Sequence, residues 1–159
     1  MNTRALKKHL KYNIPQIRLA IVREPANYPM PAIKTPDDVE HYLSPMKIMS
    51  EENFVALHLS AKNQVTGFHV VSHGTLSASL VHPREVFKAA LLSNAYAIIV
   101  AHNHPAGSTE PSQEDIDTTR QLIAAGKLLG VQVLDHVIVT YREIASIRQS
   151  HPHLFSQDW

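Results

Sequence analysis

Residues 95–102, Ala-Tyr-Ala-Ile-Ile-Val-Ala-His, form a short and almost wholly apolar run. Its length and its β-branched residues fit a strand that is buried on both faces. A strand with no wet face needs a layer of structure on each side, so the run by itself directs the chain toward a layered α/β domain.

The rest of the chain supplies those layers. Thr35-Pro36-Asp37-Asp38 is a helix start: Thr35 can cap, Pro36 suits the first helical position, and two acids face the positive end of the dipole. This helix is expected to run to about Met49. Residues 54–60 and 66–72 read as two strands joined by Ala61-Lys62-Asn63-Gln64, a hairpin without the strongest Asn-Gly turn signal. Pro83 opens a helix, PREVFKAALLSNA, with Val86, Phe87, Ala90 and Leu91 on one face. A further helix spans about 113–129 and stops at Gly130. Strands follow at 131–140 and, more briefly, from Ile144 to Ile147. A strand is also expected at 17–24, after a basic arm over residues 1–16 and before a Pro-rich loop. The expected fold is α/β, a mixed sheet flanked by helices. The expected division is an arm, strand and loop over 1–32, a domain over 33–148 and an unpatterned tail over 149–159.

Composition removes several functions. The chain has 159 residues, enough for one domain with a real core. It has no cysteine, which excludes disulfides, thiolate metal sites and the Cys-ligated zinc of nucleobase deaminases. Lys and Arg total 15 against 14 Asp and Glu, so there is no bulk charge for nucleic acid or anionic membrane. No stretch has signal-peptide character or the ~20 apolar residues of a spanning helix, so a cytoplasmic location and no membrane partner are expected.

Eleven histidines remain to be explained. His102 and His104 stand at i and i+2 as the apolar strand ends, so extended backbone aims both imidazoles the same way. Pro105 and Gly107 then turn the chain, and Pro111-Ser112 starts the next helix, with Asp115 in its first turn. A strand–loop–helix return of this length can bring the Asp115 carboxylate back to the imidazoles. Two nitrogens, one oxygen and a free position are the ligand pattern of catalytic zinc. The Ser112–Asp115 spacing is equally a capping box that any helix could use. From the residues alone both readings stand, and they are partly compatible if Ser112 caps while Asp115 turns outward. A second H-x-H pair, His151-Pro152-His153, has no scaffold and is read as functionless. His58, His69 and His73 are read as strand or turn residues, and Asp117 as pointing away from Asp115.

The block H-x-H-P-x6-S-x2-D resembles the metalloprotease motif of the JAB1/MPN (JAMM) superfamily. Residues 82–139 are similar to the RadC family of bacterial JAB-domain proteins almost throughout, and 51–65, 74–85 and 35–43 extend the likeness to about 33–147. The resemblance implies a JAB/MPN, cytidine-deaminase-like layered sandwich that binds Zn2+ through His102, His104 and Asp115. It places the motif serine at Ser112, as a donor to an oxyanion or an orienter of water. It places the catalytic glutamate at Glu51 or Glu52. Glu52 is preferred because the family pattern puts the acid two residues before the aromatic, here Phe54. The implied activity is hydrolysis of an amide or isopeptide bond, with a peptide or isopeptide substrate. The alternatives are a DNA-repair or DNA-processing accessory of the RadC type, with only weak support for DNA as a partner, and a nuclease using the same zinc. Asp135-His136 also fits the family pattern, either behind a metal ligand or at a sheet edge, against the simpler reading of a structural histidine. Ser60 and His73 depart from the pattern and bear on substrate rather than metal. The likeness implies a stand-alone JAB domain without the helix-hairpin-helix of longer relatives. An exposed sheet edge leaves a homo-oligomer open.

Overall fold

The computed structural model describes residues 32–74 and 81–156; the strand expected at 17–24 and the arm before it lie outside them. Helix α1 covers Pro36–Leu43, and Thr35 and Asp38 cap each other's backbone at its start. The expected extension to Met49 is wrong as an α-helix. Pro45 lacks the N–H that the next turn needs, and the chain tightens into a 3-10 turn over Ser44–Ile48.

Strands β1 (Asn53–Leu59) and β2 (Val65–His73) form the expected antiparallel hairpin. Asn63 takes the positive φ of its turn, and the Ser60 hydroxyl accepts from the Lys62 and Gln64 amides. Helix α2 covers Pro83–Leu92, β3 Ala97–Asn103, α3 Gln113–Leu129, β4 Gln132–Val139 and β5 Ile144–Ser146. Gly130 ends α3 at φ 68°, a conformation open to residues without a Cβ. The sheet order is β2-β1-β3-β4-β5, antiparallel except for the parallel pair β3–β4. The fold is the mixed α/β class that the alternation of elements predicts.

β3 is central, and all seven of its residues are buried. Alternation divides its side chains. Ile98 and Val100 face a core built with Phe54, Phe87, Leu122 and Ile123, under α2 and α3. Ile99 and Ala101 face a second core with Val39, Leu43 and Met46, under α1 and its 3-10 turn. His102 therefore points toward α3. Strand β4 changes phase on the way. Ile98 pairs with Val133 but Ile99 pairs with Asp135, so Leu134 is an extra residue. Such a bulge re-aims the side chains beyond it. It turns His136 and Ile138 to the α3 side, and Val137 and Val139 to the other core.

The tail has no periodicity, yet it is built into the molecule. Ile147 starts a short helix, α4 (Ile147–Ser150), instead of extending β5, because the Ser146 hydroxyl caps the Gln149 amide. A single 3-10 turn, Pro152–Leu154, then buries Leu154 in the core. No helix among the described residues is long and apolar enough to cross a membrane.

His58 on β1 makes the fold sensitive to acid. It is 3% exposed. Ser93 donates its hydroxyl to the Ala90 carbonyl, so it accepts from His58 Nδ1 at 2.8 Å, and His58 Nε2 has no hydrogen-bond partner among the described residues. Burial, helped by nearby His69, pushes the imidazole pKa down to about 4. The folded state holds His58 neutral, whereas the unfolded chain takes the proton near pH 6.5. The stability this contributes is complete above about pH 6.5 and is lost as pH falls through 6.5 toward 4, a total of about 3 kcal/mol. Urea unfolding at pH 7 and pH 5 is expected to show a smaller loss in His58→Asn than in the wild type. Equal losses would place the acid sensitivity elsewhere.

Candidate metal centre

The three sequence-predicted donors come from two elements and meet. His102, one residue before the end of β3, has its ring fully buried, and the Phe54 ring lies parallel to it, centroids 6.1 Å apart. His104 lies just beyond the strand, but its N–H still reaches Val139 O at 2.9 Å, which carries the extended spacing two residues further. Its Nδ1 donates to the Ser108 carbonyl at 2.7 Å. That bond fixes the ring and turns Nε2 toward His102 and Asp115. The loop permitting it turns at Gly107, where φ is 87° and an added Cβ would stand 2.5 Å from Tyr141 Cε1.

Asp115 returns on the first turn of α3. His102 Nε2 lies 2.8 Å from His104 Nε2 and 3.2 Å from Asp115 Oδ1, and His104 Nε2 lies 3.7 Å from Asp115 Oδ2. One ligand atom from each residue falls within 4.8 Å of the others, and among the described residues no other such group of three converges. His102 is sealed, whereas His104 and Asp115 are half-buried, so one flank of the cluster stays open. Two imidazole nitrogens and a carboxylate oxygen, with an open flank, fit a divalent cation of the zinc type.

The electrostatics agree with this grouping. Burial pushes the Asp115 carboxyl up, but the facing imidazoles of His102 and His104, with the hydrogen bond from Ser112, outweigh it and hold the group far below the usual carboxylate range. The Asp115 carboxylate raises the His104 imidazole above its ordinary value. Burial opposes that shift, and the Ser108 carbonyl and the Glu52 charge add to it.

The capping box is formed, and Asp115 does not turn outward to escape it. Its Oδ2 accepts from the Ser112 amide at 2.8 Å and the Ser112 hydroxyl at 2.7 Å, while its Oδ1 faces His102. One carboxylate thus serves the helix start with Oδ2 and faces His102 with Oδ1, while His104 stands nearer the capping oxygen. The Ser112 hydroxyl is engaged in that cap, so an oxyanion role requires it to leave Asp115.

The two glutamates part company. Glu51 Oε2 is 3.2 Å from His73 Nδ1, both of them largely exposed. Glu52 is the one whose charge reaches His104. A residue missed in the sequence fixes this segment. Asn103, between the two histidines but on the opposite face, is buried; its Oδ1 accepts from the Asn53 amide at 2.8 Å, and its Nδ2 donates to Glu51 O at 3.0 Å. The H-x-H spacing contained that signal, since the middle residue of such a triplet must face away.

Asp135 and His136 also divide. Asp135 faces the sheet edge: its carboxylate accepts from the Ser146 hydroxyl at 2.7 Å and the Arg148 amide at 3.1 Å, tying β4 to β5 and α4. His136 is fully buried, with Nε2 2.8 Å from His102 Nδ1 and Nδ1 2.7 Å from Thr119 Oγ1. Asp117 pairs with Arg120 at 2.7 Å and stays outside the cluster, as do His151 and His153.

The family model of the RadC-like JAB domain matches residues 33–152. The chain belongs to that family. This RadC-like JAB domain is 48% identical over 118 residues to the UPF0758 protein of Halalkalibacterium halodurans, covering 74% of this chain and 51% of that protein. It is 49% identical over 116 residues to the UPF0758 protein of Staphylococcus haemolyticus, covering 72% and 51%. It is 50% identical over 115 residues to that of Symbiobacterium thermophilum, covering 72% and 49%. The RadC-like JAB domain chain thus spans about half the length of these relatives.

Proposed function

We propose that this RadC-like JAB domain is a zinc-dependent hydrolase of amide or isopeptide bonds, with His102, His104 and Asp115 as metal ligands and Glu52 as its proton carrier. The observation that carries the reading is the convergence of two imidazole nitrogens and one carboxylate oxygen at the open end of a buried strand. Three electron-pair donors facing one point repel each other unless a cation or a proton lies among them.

When bound, a divalent cation there supplies Lewis-acid polarisation and a more acidic water at neutral pH. The protein's own groups do the rest. His104 and His102 are held in place by the Ser108 carbonyl and by His136. Ser112 orients Asp115 through the helix cap. Glu52, close enough for its charge to act on His104, accepts a proton from the attacking water and returns it to the leaving amine. Family membership supports a hydrolase, and the RadC-type accessory role on DNA has no positive feature among the described residues.

The test is hydrolysis of a panel of peptide and isopeptide-linked substrates by the zinc-loaded protein, by protein stripped with a chelator, and by stripped protein given zinc again. Cleavage is expected in the first and third samples alone. Equal cleavage by the stripped protein, or none by the loaded protein in either substrate class, would overturn the proposal.

A further inference from the structure

His136 is not one of the proposed ligands, and the hydrolytic reading above uses it only to hold the His102 ring in place. It is also fully buried, where an imidazole must satisfy both nitrogens from protein groups. Its two contacts lead in opposite directions to two proposed ligands. One reaches the His102 ring, and the other reaches Thr119, whose hydroxyl lies 2.6 Å from the backbone carbonyl of Asp115.

The direction of every proton in this chain follows from one end of it. The Asp115 carbonyl can only accept. Two oxygens 2.6 Å apart with no proton between them would repel, so the single hydroxyl proton of Thr119 lies on that bond. Thr119 Oγ1 then has only lone pairs left for His136 Nδ1 at 2.7 Å, so Nδ1 must carry a proton and donate it. A neutral imidazole carries one proton, which leaves His136 Nε2 bare. At 2.8 Å it accepts, and the group that donates is His102 Nδ1. With its Nδ1 proton so placed, a neutral His102 ring presents Nε2 as a lone pair on the side where His104 and Asp115 stand.

We infer that His136 is a positioning residue that, through Thr119 and the Asp115 carbonyl, fixes the tautomer of His102 and keeps its Nε2 available to a metal. The inference rests on the zinc reading for its purpose, but the proton order follows from the hydrogen-bond distances and the neutral state of a fully buried imidazole. The arrangement closes on itself: the same Asp115 whose carboxylate faces His102 Nε2 sets, through its backbone, the proton on the far side of that ring. Outer partners of this kind fix ring orientation and tautomer, and their removal costs about 10–100-fold in metal affinity. The β4 bulge at Leu134 is what brings His136 to this face, so the device depends on a local irregularity of the sheet.

Two measurements test it. In the metal-free wild type, nitrogen-15 spectra of the histidine rings at neutral pH are expected to show His136 protonated at Nδ1 and bare at Nε2, and His102 protonated at Nδ1. A proton on His136 Nε2 would overturn the inference. Zinc competition against a chelator is expected to show about 10–100-fold weaker binding in His136→Phe, which keeps a planar ring at the site but removes the acceptor. Thr119→Val should weaken binding in the same direction, and Thr119→Ser, which keeps the hydroxyl, should restore it. Unchanged affinity in both His136→Phe and Thr119→Val would also overturn the inference. A wild type that takes up no zinc but shows the predicted ring protons would sink the metal reading and leave the proton order intact. Tight zinc with the opposite tautomer would do the reverse.

Discussion

Dialysed His104→Ala protein is expected to hold no stoichiometric zinc, where the wild type holds about one ion per chain. His104 is the ligand whose loss tests the site most cleanly. It lies beyond the end of β3 and is half-buried, and its backbone bond to Val139 survives truncation. The fold should therefore lose little, within the range of about 1 kcal/mol usual for such positions. The site, by contrast, drops from three protein donors to two. The affinity loss should exceed the roughly 10–100-fold that follows removal of an outer partner. Elemental analysis after dialysis, with unfolding curves alongside, separates the two effects. His151→Ala is the matched control, because it removes a histidine from the other H-x-H pair, which is not part of the cluster. Zinc retained by a folded His104→Ala chain, or lost from His151→Ala, would move the site elsewhere.

The Glu52→Gln protein is expected to keep its zinc and to lose about 10²–10⁴-fold in kcat/KM on whichever substrate the wild type cleaves. Glutamine preserves size and hydrogen bonding but cannot take a proton. Its neighbour supplies the contrast. Glu51 is turned to His73 at the surface, so Glu51→Gln should leave the rate close to that of the wild type. Removing the Glu52 charge should also lower the His104 imidazole pKa, because that charge helps raise it. A rate loss confined to Glu51→Gln would reassign the proton carrier. Equal, small effects in both would remove general base catalysis by either.

Much of this centre could be read before any coordinates. The apolar run at 95–102 states that β3 is buried on both faces, and the i, i+2 placement of His102 and His104 states that they share a side. Pro111, Ser112 and Asp115 mark the start of α3, and the resemblance to RadC proteins joins these parts into one site. What stayed hidden has particular causes. The Leu134 bulge carries no glycine or proline, so nothing in VQVLDHVIVT shows that its alternation slips and that His136 changes face. Pro45 was visible, but its effect on the end of α1 depended on the 3-10 turn that the surrounding core accepts. The burial of Leu154 is purely tertiary, since a three-residue turn has no period to detect. Cap and ligand are partly compatible readings of Asp115 in the sequence. In the fold, Oδ2 serves the cap and Oδ1 faces His102, so the cap leaves one oxygen turned to the histidine pair.

That division constrains how the centre can change over evolutionary time. If His102, His104 and Asp115 hold an ion as proposed, a change of ion preference would exchange one ligand type for another, because ligand type and geometry set which ion a site favours. At position 115 such an exchange would also disturb the acceptor of the Ser112 amide and hydroxyl, at a cost of about 1 kcal/mol to the opening turn of α3. A lineage switching ions at this corner would need a compensating change at 112 as well, so the pair is expected to vary together or not at all.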